Sequence, residues 1–127
     1  MENPLLTVAI VDDSTFMRES ARLRLSILGY KVVMEAENGQ EFLDKLAQSD
    51  IPDICLLDLN MPVMDGFETA RNLKKNWPAI RILFHSMERI GEGAYACFGA
   101  DGFVAKDASA LDFRKALLSI AGHQPVA

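Results

Sequence analysis

The chain has 127 residues, half of them hydrophobic and 24% charged, which suits one globular domain with a sizeable core and leaves no room for a second folded one. Its net charge of -5 comes from acids and bases scattered along the chain, with no basic run to track a phosphate backbone, so direct nucleic-acid binding by this chain is not expected. Met1-Glu2-Asn3-Pro4 lacks the basic start and apolar stretch of a signal peptide, no apolar run reaches about 18 residues, and Cys55 and Cys97 read as reduced packing residues, so a soluble, unanchored cytoplasmic protein is expected.

Thr7 to Val11 is the first of five short, β-rich apolar runs. Behind it Met17, Ala21, Leu25 and Leu28 recur at spacings of four and three, the stripe of a helix stopped by Gly29. The second run, Lys31 to Ala36, leads into a helix-compatible stretch. The third, Asp53 to Leu57, is followed by Phe67, Ala70, Leu73 and Trp77 on one face, ended by Pro78. The fourth, Ile80 to Phe84, precedes Gly91-Glu92-Gly93. This glycine pair lacks the rest of a dinucleotide fingerprint and disfavours a long helix, so a flexible loop through Gly93 is predicted, then a helix of barely two turns from Ala94 to Phe98 held by Tyr95 and Phe98. The fifth run is Gly102 to Ala105. Ser109 and Asp112 then form a capping box ahead of the apolar face Phe113, Ala116, Leu117 and Ile120, which stops before Gly122. Residues 1–122 form the domain, and 123–127 a tail or the start of a linker.

Strands apolar on both faces, alternating with helices, imply a parallel sheet covered on both sides by right-handed crossovers. Five βα units fit an α/β three-layer sandwich of the flavodoxin-like (βα)5 type with strand order 2-1-3-4-5, whose ligand crevice lies at the carboxyl ends of the first and third strands. The polar residues converge there. Asp12-Asp13 follow the first strand, Asp58 the third, Ser86 closes the fourth, and Lys106 follows the fifth. Carboxylates gathered within about 5 Å repel by roughly 3 kcal/mol per pair at an effective dielectric of 20, so a cation must hold them. A hard divalent ion with oxygen ligands, Mg²⁺ or Mn²⁺, relieves the repulsion, and Lys106 can pair with one carboxylate in its absence. Such a site suits phosphoryl chemistry, with Asp58 as nucleophile, Lys106 and the metal neutralising phosphoryl oxygens, and Ser86 donating its hydroxyl.

Asp12-Asp13 after "VAIV", Asp58 in "LLDLNMPVMDG", Ser86 closing "ILFHS" and Lys106 in "GADGFVAK" together resemble the receiver domain of two-component response regulators, over nearly the whole chain. The resemblance implies that Asp58 accepts a phosphoryl group from a sensor histidine kinase or phosphotransfer protein, and that Asp12, Asp13, Asp58 and the backbone carbonyl of Asn60 hold Mg²⁺. It also implies that Ser86 and Phe103 occupy the hydroxyl and aromatic switch positions and that Lys106 binds the phosphoryl group. Phosphorylation would repack the face made by the fourth helix, fifth strand and fifth helix.

Departures from that family are informative. Asp107 follows Lys106 where many receivers have proline, and a cis bond before a non-proline residue costs about 2.5 to 4 kcal/mol, so a trans bond is expected. Met87 stands where a small residue is commoner and should narrow access to the phosphoryl group, with Glu88 influencing water access beside it. Lys106-Asp107 with Met87 resembles the receivers fused to helix-turn-helix DNA-binding domains, so the chain reads alternatively as a fragment of such a regulator. An aspartyl-nucleophile phosphatase of the haloacid dehalogenase type is the reading of another class, but those enzymes carry an acid two residues after the nucleophile, where this chain has Asn60; no enzyme is expected beyond self-phosphorylation and self-dephosphorylation. His85 alternates out of the pocket and reads as a packing histidine, and Asp65 as a turn or cap residue.

Overall fold

The computed structural model describes residues 6–121; the reading of Met1 to Pro4, the stop at Gly122 and the tail at 123–127 lie outside the described residues. Five strands, β1 Thr7–Val11, β2 Lys31–Ala36, β3 Ile54–Leu57, β4 Arg81–Ser86 and β5 Gly102–Ala105, alternate with helices α1 Thr15–Ile27, α2 Gly39–Leu46, α3 Gly66–Asn76, α4 Glu92–Cys97 and α5 Ala110–Ile120. The sheet is parallel throughout in the order β2-β1-β3-β4-β5, as the pattern predicts.

The period of two in each strand divides the core. Val8, Ile10, Ile54, Leu56, Leu83 and Val104 face Ala21 and Leu25 of α1 and Phe113, Leu117 and Ile120 of α5. Their sequence neighbours Ala9, Val11, Cys55, Leu57, Ile82 and Phe84 face Phe42, Leu46, Ala70 and Leu73 of α2 and α3. Burying each such Leu, Ile or Phe contributes about 1.5–3 kcal/mol, so a slip of one residue in β1 or β3 would be prohibitive. The strand register is thereby set, and with it the residue that follows each strand.

Side-chain caps fix the helix starts. Ser14, Asn38, Asp65 and Ser109 each accept a hydrogen bond from the amide three residues on, at 2.9–3.2 Å. Gly29, at φ +92°, turns the chain out of α1 in a conformation that favours glycine. Asp65 is thus a cap, as predicted.

The bounds of three elements and one burial differ from the sequence reading. β3 begins at Ile54; Asp53 just before it still bonds Thr7 and Arg81 through its backbone, while its carboxylate takes the Thr7 amide and hydroxyl. β4 runs from Arg81 through Ser86, since β5 pairs with it as far as Ser86 opposite Ala105. α4 begins at Glu92 rather than Ala94: Gly91 takes the extended N-cap conformation, so the expected loop is present but ends at Gly91, and Glu92-Gly93 open the helix. α4 buries no residue fully; Tyr95 and Phe98 pack against the core as expected, but Cys97 is exposed, because it lies on the face turned from them. Among the described residues every peptide bond is trans, the one after Lys106 included.

Candidate functional site

Val11 lies opposite Leu57 across the β1–β3 pair, so the next residues, Asp12 and Asp58, emerge side by side at the carboxyl edge. The ladder carries on one step beyond both strands: the Asp58 amide donates to the Val11 carbonyl at 2.9 Å, and the Asp12 amide to that of Ala36 at 3.0 Å. Both carboxylates are buried, at 2% and 4% exposure for Asp12 and Asp58, which removes the water that would otherwise screen them. Asp13 is exposed beside them, and the three residues each offer an oxygen within 4.8 Å of the others.

Lys106 follows β5 and reaches across β4, its own amide donating to the Ser86 carbonyl at 2.9 Å. Its Nζ lies 2.8 Å from Asp12 Oδ2 and 3.2 Å from Asp58 Oδ2. The sequence reading allowed it one carboxylate; it pairs with both, because the register brings the two acids to one place. Burial alone would lower the lysine, but the hydrogen bond to Asp12 and the negative charges of Asp58 and Asp12 outweigh that and hold it above its ordinary value. Asp58 is pushed from 3.8 up to about 6, first by burial and then by the charge of Asp12, with Lys106 and the Leu59 amide opposing. The result is a carboxylate ionised at neutral pH yet more basic than an ordinary one, a suitable nucleophile.

The remaining oxygens are oriented. Asp58 Oδ1 accepts from the Leu59 amide at 2.8 Å, and Asp12 Oδ1 from that of Ser14 at 2.9 Å. Beyond β3, Met64 donates back to the Pro62 carbonyl at 2.7 Å around Val63, whose φ of +70° is strained for a β-branched residue. Gly66 then brings α3 against the strand end so closely that a Cβ there would strike the Asp58 carbonyl and Leu59 Cα. That close approach explains the Asp65-Gly66 pair, of which the cap alone was legible in the sequence.

Ser86 is buried, and its Oγ accepts from the Glu88 amide at 3.1 Å. Glu88 in turn takes the Asn60 side-chain amide at 3.2 Å, so the two loops beyond β3 and β4 touch above the pocket. Met87, 64% exposed, turns outward next to this contact. Phe103 is half-buried against the core on the α2–α3 side and lines, with Arg89, Asp107 and Asp112, an open groove between β5 and α5. His85 points to the other side of the sheet, against Phe113 at 5.8 Å, out of the pocket as expected.

Arg18 was not singled out in the sequence. It donates to the Asp12 carbonyl at 2.7 Å and lies 3.3 Å from Glu35 on β2. A basic residue one turn into the helix behind an acidic strand end was the available signal.

The acidic cluster fits a small divalent cation. The three oxygens lie within 4.8 Å of one another and would draw in by about an ångström or more to meet octahedral Mg²⁺ at about 2.1 Å per bond, and an exposed Asp13 leaves room for that movement and for retained water. Among the described residues no helix is long and apolar enough to cross a membrane.

Comparison with known proteins agrees with this arrangement. The family model for the response regulator receiver domain matches residues 8–118. The nitrate/nitrite response regulator protein NarL of Escherichia coli (strain K12) is 36% identical over 123 residues, which cover 94% of this chain and 56% of that relative; the chain thus spans about half the length of this curated protein. Among solved structures, a NarL signal receiver domain from Mycobacterium tuberculosis superposes with a TM-score of 0.84 at 31% identity, covering 96% of this chain and all of that one. The chemotaxis protein CheY4 of Vibrio cholerae gives 0.80 at 29% identity, covering 92% of this chain and 99% of its own.

Proposed function

Because the chain belongs to the response regulator receiver domain family, we propose that Asp58 is its phosphoacceptor, charged by a sensor histidine kinase or a histidine phosphotransfer protein in the cytoplasm. The observation that carries this is the pairing of Lys106 with both Asp12 and Asp58 at the adjoining ends of β1, β3 and β5. One Asp58 carboxylate oxygen attacks the phosphorus of the donor phosphoimidazole; the P–N bond breaks with its electron pair returning to the imidazole nitrogen, and an acyl phosphate remains on Asp58. Asp12, Asp13, Asp58 and the Asn60 carbonyl would hold Mg²⁺ (or Mn²⁺), which when bound neutralises the phosphoryl oxygens. Lys106, already between the two acids, supplies a fixed positive charge to the incoming group without reorganisation.

Ser86 then donates its hydroxyl to a phosphoryl oxygen, and Phe103 moves inward from the groove it lines, reshaping the α4–β5–α5 face as the output surface. An added charge of about -1.5 to -2 and one charge-assisted hydrogen bond suffice to bias a two-state element by a few kcal/mol. The chemistry of the chain itself is limited to gaining and losing this phosphoryl group. Transfer from an autophosphorylated histidine kinase carrying labelled phosphate tests the assignment. Label should appear on this chain as a hydroxylamine-sensitive acyl phosphate and be absent from Asp58→Asn; label retained by that variant refutes it.

The likeness to NarL supports a second reading of the output, in which this receiver governs a DNA-binding segment in a longer regulator. Sequencing the parent reading frame decides it.

A further inference from the structure

Arg18 lies in the first turn and a half of α1, behind the acidic cluster, and its side chain is only 13% exposed. Its guanidinium meets three groups at once. Nη1 donates to the Asp12 carbonyl at 2.7 Å, Nη2 donates to Thr15 Oγ1 at 3.2 Å, and Nε lies 3.3 Å from Glu35 Oε1. Asp12 and Thr15 are the two ends of the turn joining β1 to α1, and that turn carries two of the three clustered carboxylates. Glu35 belongs to the neighbouring strand β2 and is held a second time by Arg22, one helical turn further along α1.

We infer that Arg18 is a positioning residue for divalent-cation binding: by holding the Asp12 carbonyl and the Thr15 hydroxyl together it closes the turn that aims Asp12 and Asp13, with Glu35 anchoring the guanidinium from β2. The inference rests on the reading of Asp12, Asp13 and Asp58 as the metal-holding set. Only a planar fork with several fixed donors serves three acceptors in different directions; the single ammonium of lysine at the same reach cannot. Removing the outer hydrogen bonds that orient metal ligands typically weakens binding by about 10- to 100-fold.

Charge alone makes the opposite forecast, which separates the two. A cation near an acidic cluster repels Mg²⁺, so a purely Coulombic role for Arg18 means that deleting it tightens binding. Positioning means that deleting it weakens binding. Calorimetric titration of the full chain with MgCl₂ at pH 7.5 reads the sign directly. Arg18→Ala is expected to bind about tenfold more weakly, Arg18→Lys to bind several-fold more weakly although its charge is kept, and Arg22→Ala, which removes an equal charge from the same carboxylate, to bind as tightly as the wild type or more tightly. Glu35→Gln should weaken binding in the wild-type background and add little to Arg18→Ala, because its effect runs through the guanidinium. Should Arg18→Ala fail to fold, Arg18→Lys decides the matter. Affinity unchanged or increased in the Arg18 variants, with wild-type binding intact, overturns the inference alone; absence of Mg²⁺ binding by the wild type overturns the metal-site reading and the inference with it.

Discussion

Asp58 and Asp12 share one ammonium: Lys106 stands 3.2 Å from the first and 2.8 Å from the second. Burial first, and then the negative charge that two buried acids and one partly buried base leave unbalanced, is why Asp58 sits near 6 rather than 3.8. A carboxyl raised on folding favours the folded state while it is protonated and loses that contribution as pH rises through its folded value. Between about pH 4 and 7, Asp58 therefore subtracts from stability, by at most about 3 kcal/mol before relaxation and screening. Asp58→Asn without divalent cations should raise the unfolding free energy by about 1–2 kcal/mol at pH 7.5 and by little at pH 4.5. Urea unfolding at the two pH values checks it; a gain equal at both would show that ionisation is not the cause.

His85 works in the other direction. Burial lowers it from 6.5 to about 4, with the charge of Lys106 adding to the effect, Asp12 opposing and Arg24 adding a little more. Its Nε2 is buried without a hydrogen-bond partner, which the neutral ring tolerates and the charged ring does not. A group depressed on folding contributes stability present above its unfolded value, near 6.5, and lost as pH falls towards about 4. The His85 ring resonances should stay unmoved from pH 8 to 5.5. A midpoint near 6.5 in the folded protein would contradict the burial argument.

Gly66 is required for space. A Cβ there would meet the Asp58 carbonyl and Leu59 Cα, backbone atoms that cannot step aside without moving the strand end. Gly66→Ala should cost about 2–4 kcal/mol in urea unfolding, whereas Gly93→Ala, in open space inside α4, should add about 0.5–1 kcal/mol of stability.

Much of the layout was legible in the sequence for a definite reason. Strands buried on both faces read as continuous apolar runs, and the residue at which a run stops reaches the crevice at Asp12, Asp58 and Lys106; after the fourth run it is Ser86, one residue beyond His85, which turns out of the pocket. What escaped depends on approach between distant segments. The space demanded at Gly66 exists only once α3 is folded back on the end of β3, the three partners of Arg18 only once β1 and β2 are aligned, and the double pairing of Lys106 only once β1, β3 and β5 are. α4 was misplaced by two residues for a local reason: glycine was read as a helix breaker at 91 and 93, whereas Gly91 serves as the cap and Gly93 is carried inside a short helix.

That short helix is the segment with least to hold it. α4 spans six residues, buries none of them fully and has no side-chain cap at its N-terminus. Its amides should exchange with solvent far faster than those of Ile54 to Leu57, and slow when beryllofluoride with Mg²⁺ stands in for the phosphoryl group. Ser86→Ala should still bind beryllofluoride but lose that slowing, if the Ser86 hydroxyl carries the change to Phe103 and α4 as proposed. Protection of α4 equal to β3 before any ligand is added would remove it as the mobile part of the output face.

The most direct measurement is the intact mass of the purified chain incubated with acetyl phosphate, a donor that needs no partner protein. The proposed nucleophile, cation and metal ligands all lie within this domain, so the wild type should gain about 80 Da, one phosphoryl group, in the presence of Mg²⁺. The gain should vanish in Asp58→Asn and on chelation with EDTA. A gain that persists in Asp58→Asn, or that proceeds equally well without a divalent cation, would contradict the assignment of Asp58 as the metal-assisted phosphoacceptor.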